Sequence, residues 1–104
     1  MLKVYGSPLC PDCRECRVNF DANGVEYEYV DITESMKALK EFLAYRDALP
    51  EFAPAKAAGS IGIPAIFCED GSVTLDWEEY LKERGMSVVY KENGLSCSID
   101  GKGC

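Results

Sequence analysis

The first 30 residues narrow the fold most, because strand, helix and strand signals follow one another there with almost no spare chain. Leu2 to Tyr5 is a short apolar strand candidate, closed by Gly6, Ser7 and Pro8, residue types that end regular structure. A helix is predicted from Pro11. Proline suits a first helical position because its missing N–H would have had no partner there, and Cys13, Cys16 and Phe20 then share one face. Asn23-Gly24 stops that helix. Val25 to Val30 sets Val25, Tyr27 and Tyr29 against Glu26 and Glu28, the two-residue period of a strand with one buried face. Two strands joined through a helix require a parallel crossover.

Further along, Asp31 and Glu34 make a capping-box-like start, and Met36, Leu39, Phe42, Leu43 and Tyr45 mark an amphipathic helix ended by Leu49-Pro50. A short helical piece is expected within Glu51 to Ala58, before Gly59, and strand character resumes from Ile61 to Phe67. The turn residues Glu69-Asp70-Gly71-Ser72 separate Ala65–Cys68 from Val73–Leu75, which predicts an antiparallel hairpin. Asp76 and Glu79 then cap a helix whose Trp77, Tyr80 and Leu81 share a face, with Gly85 at its left-handed end. The product is an α/β fold, a four-stranded mixed sheet with flanking helices over residues 1–85. Residues 86–104 form a C-terminal extension, where Val88-Val89-Tyr90 and Leu95 to Ile99 flank Glu92-Asn93-Gly94 as a candidate hairpin.

With 104 residues and 47% hydrophobic content, one core is expected. Eighteen acidic against 11 basic side chains give a net charge of -7 with no basic stripe, which argues against a nucleic-acid partner. No apolar stretch approaches the length of a membrane span or reads as a signal peptide, so a cytoplasmic protein without a membrane partner is expected. Histidine is absent, which removes His-assisted triads and leaves cysteine as the residue most able to do chemistry near neutral pH.

Cys10-Pro11-Asp12-Cys13 follows the first strand and opens the first helix, the context in which a Cys-x-x-Cys pair becomes a redox motif. Unpaired N–H groups and the positive end of the helix dipole stabilise a thiolate there, so Cys10 is expected below the pKa of about 8.5 of a free thiol. Cys13, one turn on and less exposed, is placed to displace a mixed disulfide formed at Cys10. Asp12 opposes the thiolate by its charge, and Arg14 is a candidate to offset it.

Three stretches carry a resemblance to the glutaredoxin family: Tyr5-Gly6-Ser7-Pro8-Leu9-Cys10-Pro11-Asp12-Cys13, Gly24-Val25-Glu26-Tyr27-Glu28, and Gly62-Ile63-Pro64-Ala65-Ile66-Phe67. The resemblance implies a thioredoxin-like fold and thiol–disulfide oxidoreductase activity, with Cys10 and Cys13 catalytic. It also implies a cis peptide before Pro64, and a substrate edge at Ile63 and Pro64, to which Pro11, Asp12 and Asp76 are added as candidate contacts. No bound cofactor is implied; glutathione is a candidate co-substrate, and disulfide-bearing proteins are candidate partners. The sequence departs from the family at Ser7, usually lysine, and at Asp12, usually tyrosine. Val73-Thr74-Leu75-Asp76-Trp77 replaces a Gly-Gly and acidic pair that holds the glutamyl end of glutathione. The donor therefore stays open between glutathione, a thioredoxin-type reductase and another small thiol.

Cys16 and Cys68 read as packing residues. Cys97 and Cys104 lie in a polar tail and form a candidate secondary redox pair that exchanges with Cys10. Two rival functions are an iron–sulfur or zinc carrier using Cys10 with other thiols, and a non-catalytic binding module on the same fold.

Overall fold

A computed structural model describes residues 1–90. In chain order it holds β1 (Leu2–Gly6), α1 (Pro11–Ala22), β2 (Tyr27–Asp31) and α2 (Met36–Ala48). A 3-10 turn at Pro50–Phe52 leads into α3 (Ala53–Ala57), followed by β3 (Ala65–Phe67), β4 (Val73–Thr74) and α4 (Trp77–Glu83). The strands form one sheet in the order β2-β1-β3-β4. β1 pairs parallel with β2, from Leu2↔Tyr27 to Gly6↔Asp31, and antiparallel with β3 through Val4↔Ile66 and Tyr5↔Ala65. β3 and β4 make the expected hairpin, in register Ile66↔Thr74 and Phe67↔Val73. This is the four-stranded mixed sheet of a thioredoxin-like α/β fold. Among the described residues no helix is long and apolar enough to cross a membrane.

Because successive strand residues face opposite sides, β1 feeds two apolar clusters. Tyr5 and Ala65 pack with Ile32, Phe42, Phe52 and Ile63 on the side of α2 and α3. Val4 and Ile66 pack with Leu2, Cys16, Phe20, Trp77 and Leu81 on the side of α1 and α4. Cys10 and Cys13 belong to the first cluster although α1 mainly serves the second, so the cysteine motif lies where the two meet, past the C-terminal end of β1.

Several element boundaries differ from expectation, each because a backbone group is used elsewhere. β2 starts at Tyr27, not Val25, since the Val25 N–H donates to the Phe20 carbonyl and Gly24, at φ 69°, closes α1 in a Schellman-type end. The cap of α2 is Ser35, whose Oγ accepts from Ala38 N at 3.1 Å; Asp31 ends β2 and its carboxylate takes the Thr33 N–H instead. β3 starts at Ala65, not Ile61, because Arg46 claims the carbonyls of Ser60 and Ile61 and Gly62 sits at φ 99°. On α2 the buried residue is Phe42, whereas Met36 is 71% exposed.

Asp76 caps α4 as predicted, accepting from Glu79 N at 3.0 Å. The first arm of the candidate terminal hairpin is not a strand: residues 86–90 run irregularly and are tied to α1. Asn19 donates to Val89 O and accepts from Val89 N, both at 2.7 Å, and Asn23 donates to Ser87 O at 2.9 Å. The second arm, Leu95 to Ile99, lies outside the described residues, as do Cys97 and Cys104.

Candidate active site

Cys10 is the N-cap of α1, in extended conformation at φ -99° and ψ 119°, and its Sγ accepts the Cys13 N–H at 3.3 Å. Pro11 at the first helical position fits the turn without losing a hydrogen bond. The loop before the cap is shaped by Ser7, which is buried: its carbonyl accepts from Cys10 N at 3.1 Å and its Oγ accepts from Leu9 N at 3.1 Å. That Oγ also lies 3.1 Å from Thr33 Oγ1, which fixes the loop to the end of β2. Ser7, noted in the sequence only as a strand-ending residue and a departure from the family's lysine, therefore positions the loop before Cys10.

Cys13, Cys16 and Cys68 are free thiols. The electrostatics separate Cys10 from Cys13. A hydrogen bond from the Cys13 thiol holds Cys10 below its ordinary pKa, and the N–H groups of Cys13 and Asp12 act the same way, against burial and the Asp12 charge. Cys13 is pushed far up, first by that same hydrogen bond and then by burial and the neighbouring sulfur charge. Cys16 is also raised, chiefly by burial, and is a packing residue at 0% exposure. Cys10 is itself only 3% exposed, less open than a helix-capping thiol was expected to be, because its sulfur turns inward to the Cys13 N–H and the cluster containing Ile63.

Asp12 does not sit free in solvent. Its Oδ1 accepts from Trp77 Nε1 at 3.0 Å, and burial raises its pKa, with the charges of Asp76 and Glu15 adding to the effect. Arg14 donates from Nη1 to the Pro8 carbonyl.

The Ile63–Pro64 peptide is cis, as the resemblance implied, and both residues are buried. Beside them a cavity of about 230 Å³ is lined by Asp12, Pro54, Ala55, Ser60, Gly62, Ile63 and Leu75. A second, of about 500 Å³, shares Asp12, Pro54 and Leu75 and continues past Glu51, Thr74, Asp76 and Glu78. The structure thus brings Cys10, Cys13, Asp12, Ile63, Pro64 and Asp76 to one end of the sheet. The larger depression of about 620 Å³, bounded by Leu2, Gly24, Cys68, Tyr80 and Arg84, involves none of them.

Gly6 completes the site. A Cβ there would lie 2.6 Å from Tyr29 Oη and 3.0 Å from Cys13 Sγ, so glycine lets β1 pass between the phenol and the Cys13 thiol without either having to shift. Tyr29 Oη is buried and without a hydrogen-bond partner among the described residues. Among those residues no three or more His, Cys, Asp or Glu side chains converge as a metal-ligand set.

Comparison with known proteins agrees with this geometry. The glutaredoxin family model matches residues 2–73. A protein of Haemophilus influenzae, described only as uncharacterized, is 42% identical over 73 residues, 70% of this chain and 85% of that relative. No solved structure matches the chain. Since the family model covers well over half of its length, the chain belongs to the glutaredoxin family.

Proposed function

We propose that the chain is a dithiol–disulfide oxidoreductase in which Cys10 attacks and Cys13 resolves. The observation that carries the proposal is the capped sulfur: Cys10 Sγ takes the Cys13 N–H at the opening of α1 and is held below its ordinary pKa, whereas Cys13 is held above. Two thiols whose acidities are driven apart take different parts in exchange, since the ionised one is the nucleophile.

The Cys10 thiolate attacks one sulfur of a substrate disulfide, forming a mixed disulfide and releasing the other sulfur as a thiolate. Cys13 then loses its proton and attacks the Cys10 sulfur, which closes the Cys10–Cys13 disulfide and releases the second substrate thiolate. The substrate gains two electrons and the enzyme loses two, to be restored by an external thiol donor. Rotation of Cys10 outward from its buried position precedes the first attack. Ile63 and Pro64, with Pro11 and Asp12, form the edge along which the substrate chain lies. A reducing compartment such as the cytoplasm suits an enzyme that must return to the dithiol state.

Reduction of a neutral mixed disulfide tests this reading. Activity is expected in the natural sequence, none in Cys10→Ser, and an accumulating mixed disulfide at Cys10 in Cys13→Ser, read by mass spectrometry. An active Cys10→Ser protein sinks the assignment. Recovery of free thiols with glutathione plus its reductase, compared with a thioredoxin reductase system, identifies the donor.

A further inference from the structure

The charge around the groove limits which disulfides suit it, an inference that rests on the oxidoreductase reading above. The two adjoining cavities beside the cysteine motif carry four carboxylates on their walls, Asp12, Glu51, Asp76 and Glu78, and among the described residues not one lysine or arginine. Arg14, next in chain to Cys13, donates to the Pro8 carbonyl, and Lys82 acts on Glu78 from one turn further along α4. Burial raises the pKa of Asp12 and of Glu78, and the carboxylates add to it, Asp76 acting on Asp12, and Asp12 with Asp76 on Glu78.

Two of the backbone donors at the start of α4 that an anionic substrate would seek are already engaged. The Asp76 N–H donates to Thr74 Oγ1 at 3.1 Å, and the Glu79 N–H donates to Asp76 Oδ1 at 3.0 Å. The Asp76 carboxylate thus stands where an incoming carboxylate would otherwise find a partner. Asp12, which lines both cavities, is fixed by Trp77 and lies between the two cysteines in sequence, so its charge stays close to the thiol that receives the substrate. A groove lined by one sign of charge raises the local concentration of ligands of the other sign and repels its own.

We propose that this site selects disulfides bearing positive charge close to the sulfur, whether a small aminothiol or a cysteine flanked by lysine or arginine in a peptide, and disfavours anionic ones. Asp12, Glu51, Asp76 and Glu78 are the residues that set the preference.

The experiment follows oxidation of the reduced protein by four disulfides: cystamine, a peptide disulfide flanked by lysines, neutral bis(2-hydroxyethyl) disulfide, and glutathione disulfide. Each rate is divided by that of dithiothreitol with the same disulfide, to remove intrinsic differences. At low salt the cationic disulfides should exceed the neutral one by about fivefold and glutathione disulfide should fall below it by a similar factor. Both ratios should shrink toward one in 0.5 M salt, and the cationic-to-neutral ratio should drop at least about twofold in E51Q/E78Q. Cystamine alone being favoured assigns the small aminothiol, and the peptide being favoured as well assigns the protein substrate. Ratios near one at low salt, or a faster anionic disulfide, overturn charge selection while leaving the oxidoreductase reading intact. Failure of the neutral disulfide to oxidise the protein through Cys10 would instead bring down that reading.

Discussion

Trp77 Nε1 donates to Asp12 Oδ1 at 3.0 Å, so the first residue of α4 holds the acid between the two cysteines across 65 positions of sequence. Asp12 acts on Cys10 in two opposed ways: its N–H favours the thiolate and its charge disfavours it. Asp12→Asn keeps the N–H and an acceptor for Trp77 but removes the charge. The midpoint pH for Cys10 alkylation by iodoacetamide should therefore move down. An unchanged or higher midpoint would show that the carboxylate has no hold on the sulfur.

The cysteine pair gives the reduced protein a characteristic pH dependence of stability. Cys10 has a depressed pKa in the folded state, so its contribution grows as pH rises from that value toward the ordinary 9.0 and is lost as pH falls back through it. Cys13 has a raised pKa, so the folded chain holds its proton too tightly above 9.0 and stability declines there as pH rises. Urea midpoints across pH 6–10 under reducing conditions should show the rising limb in the natural sequence and lose it in Cys10→Ser. Persistence of that limb in Cys10→Ser would assign it to other groups.

Gly6→Ala should destabilise by about 1–3 kcal/mol, the usual penalty of forcing a methyl into a filled core. The new Cβ would stand 2.6 Å from Tyr29 Oη. Tyr29→Phe alone should be neutral or stabilising by up to about 1 kcal/mol, because it removes a buried hydroxyl that lacks a partner. In the double variant the two changes should couple favourably, since the phenol oxygen is the first atom the methyl meets. Strict additivity in a denaturant cycle would contradict the described packing.

Asn19→Ala should lower stability by about 2–3 kcal/mol. Its buried side chain makes three hydrogen bonds, to Glu15 O and to both backbone groups of Val89. Amide exchange should accelerate at Val89, where the partner of the N–H is removed, with smaller changes at Val4 and Ile66 in the sheet. Uniform acceleration would mean that the strap and the sheet open as one unit.

Features written into neighbouring residues were legible from sequence. The apolar run of β1, the proline opening α1 and the Asp76 cap each depend on residues a few positions apart, and each stands where the pattern put it, while the alternation of β2 located the strand but not its start at Tyr27. Boundaries slipped where a distant or tertiary bond outcompeted local propensity, as when Arg46 took the Ser60 and Ile61 carbonyls and delayed β3. The cysteine pair was visible because its spacing and context are local. The contacts of Asp12 with Trp77, Gly6 with Tyr29, and Asn19 with Val89 were not, because nothing in the intervening chain encodes which residues the sheet will bring together.

Cys10 and Cys13 are members of the apolar core rather than ornaments on its rim, at 3% and 0% exposure. Their redox state and the folding equilibrium therefore form one thermodynamic cycle. Whatever margin separates the resistance of the oxidised and reduced forms to denaturation must reappear as a displacement of the reduction potential from that of the same dithiol in an unfolded chain. For a two-electron couple the exchange rate is about 30 mV for each 1.4 kcal/mol. A denaturation curve on each form thus measures how far folding moves that potential, without any substrate being present.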